Sequence, residues 1–173
     1  MSRGLLIVFT GDGKGKTTAA IGLAVRAAGH NMKIAFIQFI KGSWPTGEQV
    51  AIKHLSNNIH FETLGRGFTW KSDDIEKDKA LAQYAWEEAK KAIFSKNYQI
   101  VILDEFTYAL NYSMLSLKEV LETLNNRPNF VHIVITGRDA PSELIEMADL
   151  VTEMKDIKHP FKKGIKAQKG IEF

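Results

Sequence analysis

Eight residues, GDGKGKTT at Gly11 to Thr18, constrain this chain more than any other feature. They follow the apolar run Leu5 to Phe9 and open an apolar-periodic stretch, Lys16 to Ala28, that ends near Gly29. The order is strand, glycine-rich turn, helix. Gly11, Gly13 and Gly15 let successive backbone amides turn inward around an anion, and Lys16 brings a mobile positive charge. Thr17 offers a hydroxyl for a magnesium ion, and the helix start adds free amides and a favourable dipole. Asp12, Lys14 and Thr18 complete the predicted nucleotide-binding stretch. A phosphate loop of the usual spacing has a glycine where this chain has Thr10, so the pattern is matched from Gly15 onward and altered at its start.

Apolar runs then alternate with helical patterns. Strands are predicted at Lys33–Phe39, Ile59–Leu64, Gln99–Leu103, Phe130–Ile135 and Leu150–Met154. Helices are predicted at Glu48–Leu55, after Asp73 and Asp74 to about Phe94, at Leu115–Leu124 and at Pro141–Met147. The long helix is expected to bury Ile75, Leu81, Ala82, Ala85, Ala89, Ala92 and Ile93. Such alternation predicts an α/β fold, a mostly parallel sheet with helices on both faces, of the phosphate-loop nucleoside-triphosphate-binding kind. The first two strands and Lys16–Ala28 make one βαβ unit with a right-handed crossover. With no repeat or linker, residues 1–173 form a single domain in which 155–173 is a basic, irregular tail.

The chain has no cysteine, which excludes disulfides, thiolate catalysis and cysteine-rich metal sites. Its five histidines show no metal-ligand spacing. Leu5 to Phe9 is too short for a signal-peptide core or a membrane span, so a soluble, cytoplasmic protein without membrane association is expected. The net charge is +3, yet from Lys155 onward six lysines face only Asp156 and Glu172. Solubility and an anionic small molecule both account for that tail; nucleic acid is the weaker reading, and no nucleic-acid partner is expected.

In a sheet of this kind ligands bind beyond the carboxyl ends of the strands, where the polar sequences fall. Asp104 and Glu105 follow an apolar run, placed to reach magnesium or its waters or to hold ribose hydroxyls. Arg138, after Thr136 and Gly137, is placed to touch phosphate oxygens. Phe68 and Trp70, one residue apart in a glycine-bearing loop, either plug a gap in the core or offer flat apolar surface to a large flat ligand.

Taken together, these stretches closely resemble the ATP:corrinoid adenosyltransferase family of phosphate-loop type, also described as cob(I)alamin or cob(I)yrinic acid a,c-diamide adenosyltransferase. The resemblance rests on TGDGKGKTTAA (10–20), QFIKGSWPTGE (38–48), GFTW (67–70), LDEFTYAL (103–110), ITGRDAP (135–141) and KHPFKKGIKAQKGIEF (158–173). It implies an enzyme that transfers the 5′-deoxyadenosyl group of ATP to the reduced cobalt of a corrinoid and releases triphosphate. Lys16, Thr17, Phe68 and Trp70 would be catalytic. Gly11 to Thr18, with Glu105 and Arg138, would bind nucleotide, and Thr17, Asp104 and Glu105 would serve magnesium.

By the same resemblance Phe68 and Trp70 would face the corrinoid on the side opposite the adenosyl donor, favouring four-coordinate cobalt. A homodimer and a reductase that supplies the electron are the implied partners. Two departures stand out. The first strand begins almost at once, without the N-terminal segment that covers the site in many relatives, so closure over the corrinoid is expected to involve a partner subunit or to be weaker. Asp139 also puts a negative charge directly after Arg138. The competing readings are a phosphate-loop small-molecule kinase or nucleotide hydrolase, and a non-enzymatic corrinoid-delivery module.

Overall fold

The computed structural model describes residues 3–39, 46–55, 57–65 and 75–172. Its strands are β1 (Leu6–Thr10), β2 (Ile34–Gln38), β3 (Ile59–Thr63), β4 (Ile100–Asp104), β5 (His132–Thr136) and β6 (Leu150–Glu153). Its helices are α1 (Lys16–Ala28), α2 (Gly47–Leu55), α3 (Ile75–Phe94), α4 (Thr107–Asn111), α5 (Leu117–Asn125) and α6 (Ser142–Met147), and Pro160–Lys163 forms a 3-10 turn. The strands pair in parallel throughout, in the order β3-β2-β4-β5-β1-β6.

Alternation along each strand divides the core into two layers. On one face Ile7, Phe9, Ile34, Phe36, Ile100 and Ile102 pack under Ala20, Ala24 and Ala27 of α1 and Ile52 of α2. On the other face Leu6, Val8, Ala35, Ile37, Val101 and Leu103 pack under α3, α5 and α6. β1, β2 and β4 are buried at every position, which is why they read as unbroken apolar runs. Truncating a side chain such as Ile102, which has no exposed surface, would cost about 2–5 kcal/mol.

β1 and β2 belong to one sheet but are not neighbours, because β4 and β5 lie between them. The chain winds one way with α1 and α2 on one face, then reverses with α3 to α6 on the other, so the phosphate loop leaves β1 beside the reversal. The face of α3 differs from the pattern expected of it. Ile75 is 71% exposed, whereas Trp86 is 2% exposed. The buried set is Asp78, Ala82, Ala85, Trp86, Ala89 and Ile93, whose spacing of three and four residues puts Trp86 on the stripe. There its ring sits 5.3 Å from that of Phe106. Among the described residues no helix is long and apolar enough to cross a membrane.

Candidate active site

The phosphate loop is held from below by the chain leaving β6. Gly11 has φ +94°, and a Cβ there would stand 2.5 Å from the Met154 carbonyl oxygen, so glycine is demanded by both backbone and space. Gly15 has φ +109° and opens α1 with no side-chain cap, which leaves the helix start to an anion. Thr10, the departure from the usual spacing, has a structural task. It is the last residue of β1, its Oγ1 accepts from Ala140 N at 3.2 Å, and its carbonyl accepts from Met154 N at 2.8 Å. One residue thus ties the start of the loop to the segments after β5 and β6.

Lys16 is 7% exposed, and its ammonium donates to the carbonyls of Gly11 at 2.6 Å and Gly13 at 2.7 Å. Burial pushes its pKa down, opposed first by Glu105; Arg138 lowers it further, while Asp12 and Asp104 raise it. The cation is therefore short of solvent and surrounded by polar groups, well placed to gain from anionic oxygens.

Lys14, Lys16, Thr17, Glu105 and Arg138 line one cleft of about 540 Å³ together with the loop backbone. The two neighbouring carboxylates are divided by the strand end. Asp104 is fully buried, its Oδ2 accepting from Gln38 Nε2 at 2.8 Å and its Oδ1 from Thr136 Oγ1 at 2.7 Å. Glu105 takes φ +56°, a conformation rare for a side chain with a Cβ, and lines the cleft. Its backbone N–H donates to Thr136 Oγ1 at 2.9 Å.

The protons of this network run one way. Gln49 Nε2 donates to Thr63 Oγ1 at 2.6 Å, Thr63 Oγ1 to Gln38 Oε1 at 3.2 Å, and Gln38 and Thr136 to Asp104. Asp104 is the acceptor on which the carboxyl ends of β2, β3, β4 and β5 are organised. Sequence reasoning gave no role to Gln38, Thr63 or Thr136; the signals were a polar residue closing each of β2, β3 and β5 and the presence of Gln38 and Thr136 in the stretches that carry the resemblance.

Arg138 is fixed through its backbone, its carbonyl accepting from Thr107 Oγ1 at 2.6 Å and Asn111 Nδ2 at 3.2 Å. Its guanidinium stays exposed, 4.0 Å from Asp12 Oδ1. Asp139 follows with φ +48°. Phe68 and Trp70, expected at this site, lie outside the described residues. The tail, for which solubility and an anionic small molecule were both open, returns to this cleft: Gly170, Ile171 and Glu172 line it.

For magnesium the donor set is sparse but suitable. No cluster of three acidic or histidine side chains occurs among the described residues, and a nucleotide-bound magnesium does not need one, since phosphates and waters complete its shell. Thr17 and Glu105, both on the cleft, are oxygen donors of the right kind.

This arrangement fits a triphosphate but does not select the bond that reacts. The family profile of ATP:corrinoid adenosyltransferase BtuR/CobO/CobP matches residues 2–173. The chain belongs to that family. It is 50% identical over 173 residues to the corrinoid adenosyltransferase of Sinorhizobium sp, covering 99% of this chain and 81% of that protein. It is 44% identical over 171 residues to the corrinoid adenosyltransferase of Escherichia coli strain K12, covering 99% and 86%. Among solved structures, the flagellar accessory protein FlaH from Methanocaldococcus jannaschii superposes with a TM-score of 0.60 at 14% identity, over 88% of this chain and 72% of that one. That likeness concerns the fold alone. As a member of the adenosyltransferase family the protein is an enzyme that transfers the adenosyl group of ATP to corrinoid cobalt.

Proposed function

We propose that the cleft above β1, β4 and β5 runs this transfer by binding and orienting ATP, with no acid–base pair. The observation that carries the reading is the convergence of Lys14, Lys16, Thr17, Glu105 and Arg138 on one cleft of about 540 Å³. Reduced cobalt of the corrinoid substrate is the nucleophile and supplies the electron pair. It attacks the 5′ carbon of ATP, the cobalt–carbon bond forms, and the carbon–oxygen bond breaks with its electrons going to the triphosphate. Lys16 exchanges its contacts with the Gly11 and Gly13 carbonyls for phosphate oxygens, so its charge meets the charge that develops on the leaving group.

Loop amides and the start of α1 add to that stabilisation. Magnesium, when bound, would be held by Thr17 and Glu105 and neutralise part of the triphosphate charge. Asp104 acts as a positioning residue, reaching Glu105 through Thr136, and Arg138 steadies the phosphates from the β5 side. Phe68 and Trp70 cover the corrinoid face opposite the adenosyl donor. A reductase supplies the electron, and the working unit is a cytoplasmic homodimer.

The test is Lys16→Ala. With the fold retained, adenosylation at saturating ATP should fall on the order of a hundredfold or more, the scale of losing one charge-stabilising group. Near-parental turnover and ATP affinity would overturn the role given to Lys16.

A further inference from the structure

One contact crosses the mouth of the cleft. Lys14, inside the phosphate loop, is paired with Glu172 near the far end of the chain. Lys14 holds the Glu172 carboxyl below the usual carboxylate range. The segment leading there is tied at both ends and bare between. At its root Asp156 pairs with Lys162 at 2.7 Å, and the His159 side chain accepts from Phe161 N to open the 3-10 turn. Gly164, at φ +74°, then reverses the chain.

Residues 160–171 are all exposed, and only at Glu172 does coverage return. The tip is a small turn in which Ile171 N and Glu172 N both donate to the Gln168 carbonyl, at 3.1 and 2.8 Å. Among the described residues, the Lys14–Glu172 pair is the one ion pair tying 164–172 to the body of the protein.

We propose that residues 164–172 form a strap governed by the triphosphate moiety: phosphate oxygens displace the Glu172 carboxylate from Lys14, freeing the strap, which docks again as triphosphate departs. Two anions compete for one ammonium in a cleft that Glu48 and Glu105 also line. A triphosphate seated on the loop therefore both takes the partner of Glu172 and repels the carboxylate that has lost it. The ligand chemistry is the phosphate chain rather than the nucleoside, because Lys14 belongs to the loop. This inference rests on the loop's binding triphosphate, as proposed above.

Hydrogen exchange on the full chain tests it, with inorganic triphosphate and magnesium as one probe and adenosine as the other. Amide protection over 168–172 should fall with triphosphate and stay unchanged with adenosine. Glu172→Gln should show the lowered protection without ligand and bind inorganic triphosphate about twofold to fivefold more tightly, the scale of removing one exposed competing ion pair. Protection that rises or stays constant with triphosphate bound, or a Glu172→Gln affinity no higher than the parent's, overturns the strap and leaves the loop reading intact. Failure of inorganic triphosphate to bind the parent protein overturns both.

Discussion

Replacing Asp104 by asparagine removes the one acceptor on which the strand-end hydrogen bonds converge while keeping the side chain's shape. Asp104 has no exposed surface and accepts from Gln38 and Thr136 at 2.8 and 2.7 Å. The asparagine amide must turn its NH2 group toward one of those donors. Gln38 cannot flip to meet it without losing the bond from Thr63 to its Oε1, so the mismatch falls on Thr136. Thr136 Oγ1 already accepts from Glu105 N, and its own proton is left without an acceptor. Losing one buried hydrogen bond to a charged acceptor costs about 1.5–3 kcal/mol, so Asp104→Asn should lower unfolding free energy in urea by about 2 kcal/mol with the slope unchanged. Thr136→Val removes the same donor, and the double variant should fall short of additivity by about 1 kcal/mol. Because Glu105 is anchored through Thr136, adenosylation at saturating ATP should drop by about tenfold. A stability loss under about 0.5 kcal/mol with parental turnover would refute the argument.

Gly137→Ala should destabilise by about 2–4 kcal/mol in the same assay, since φ is +147° and the added Cβ would stand 2.0 Å from Thr107 Oγ1. Gly22→Ala, inside α1 with nothing within 4 Å of the added carbon, should instead stabilise by about 0.5–1 kcal/mol; equal effects would refute the packing reading. His132 gives a pH signature. Burial, with Arg127 adding repulsion, pushes its pKa below 6.5, and its neutral Nδ1 accepts from Leu5 N at 3.2 Å. The unfolded chain takes up this proton first, so the contribution to stability is complete above 6.5 and is lost as pH falls from there toward the depressed folded value. His132→Asn should flatten that part of a thermal-unfolding pH profile, and a slope that survives would assign it elsewhere.

The elements were legible because buried parallel strands are unbroken apolar runs and most helices carry a period. α1 agrees residue for residue, and the strands agree to within a residue or two. α4 was missed because five residues carry no periodic signal, and its N-cap, Phe106, offers no capping side chain. α5 begins two residues later than expected because Ser116 is the cap, accepting from Glu119 N at 3.4 Å, the serine-to-glutamate spacing of a capping box. Strand order was not legible, since it depends on which apolar faces meet rather than on any one segment. The phosphate loop was readable because its spacing is local. The separate placements of Asp104 and Glu105 were not, because they arise from hydrogen bonds across four strands and a positive φ at Glu105. The return of the tail to the cleft joins residues 158 positions apart, a distance that no local pattern records.

The central claim concerns which bond of ATP breaks, since a phosphate loop serves phosphoryl transfer equally well. Incubating the enzyme with ATP, magnesium and pre-reduced corrinoid, and resolving the phosphate products alongside the corrinoid, reads both halves of the reaction at once. The account predicts one intact triphosphate for each cobalt–carbon bond formed, and almost none when corrinoid is left out. Equal ADP and phosphate with or without corrinoid, and no cobalt–carbon product, would contradict it.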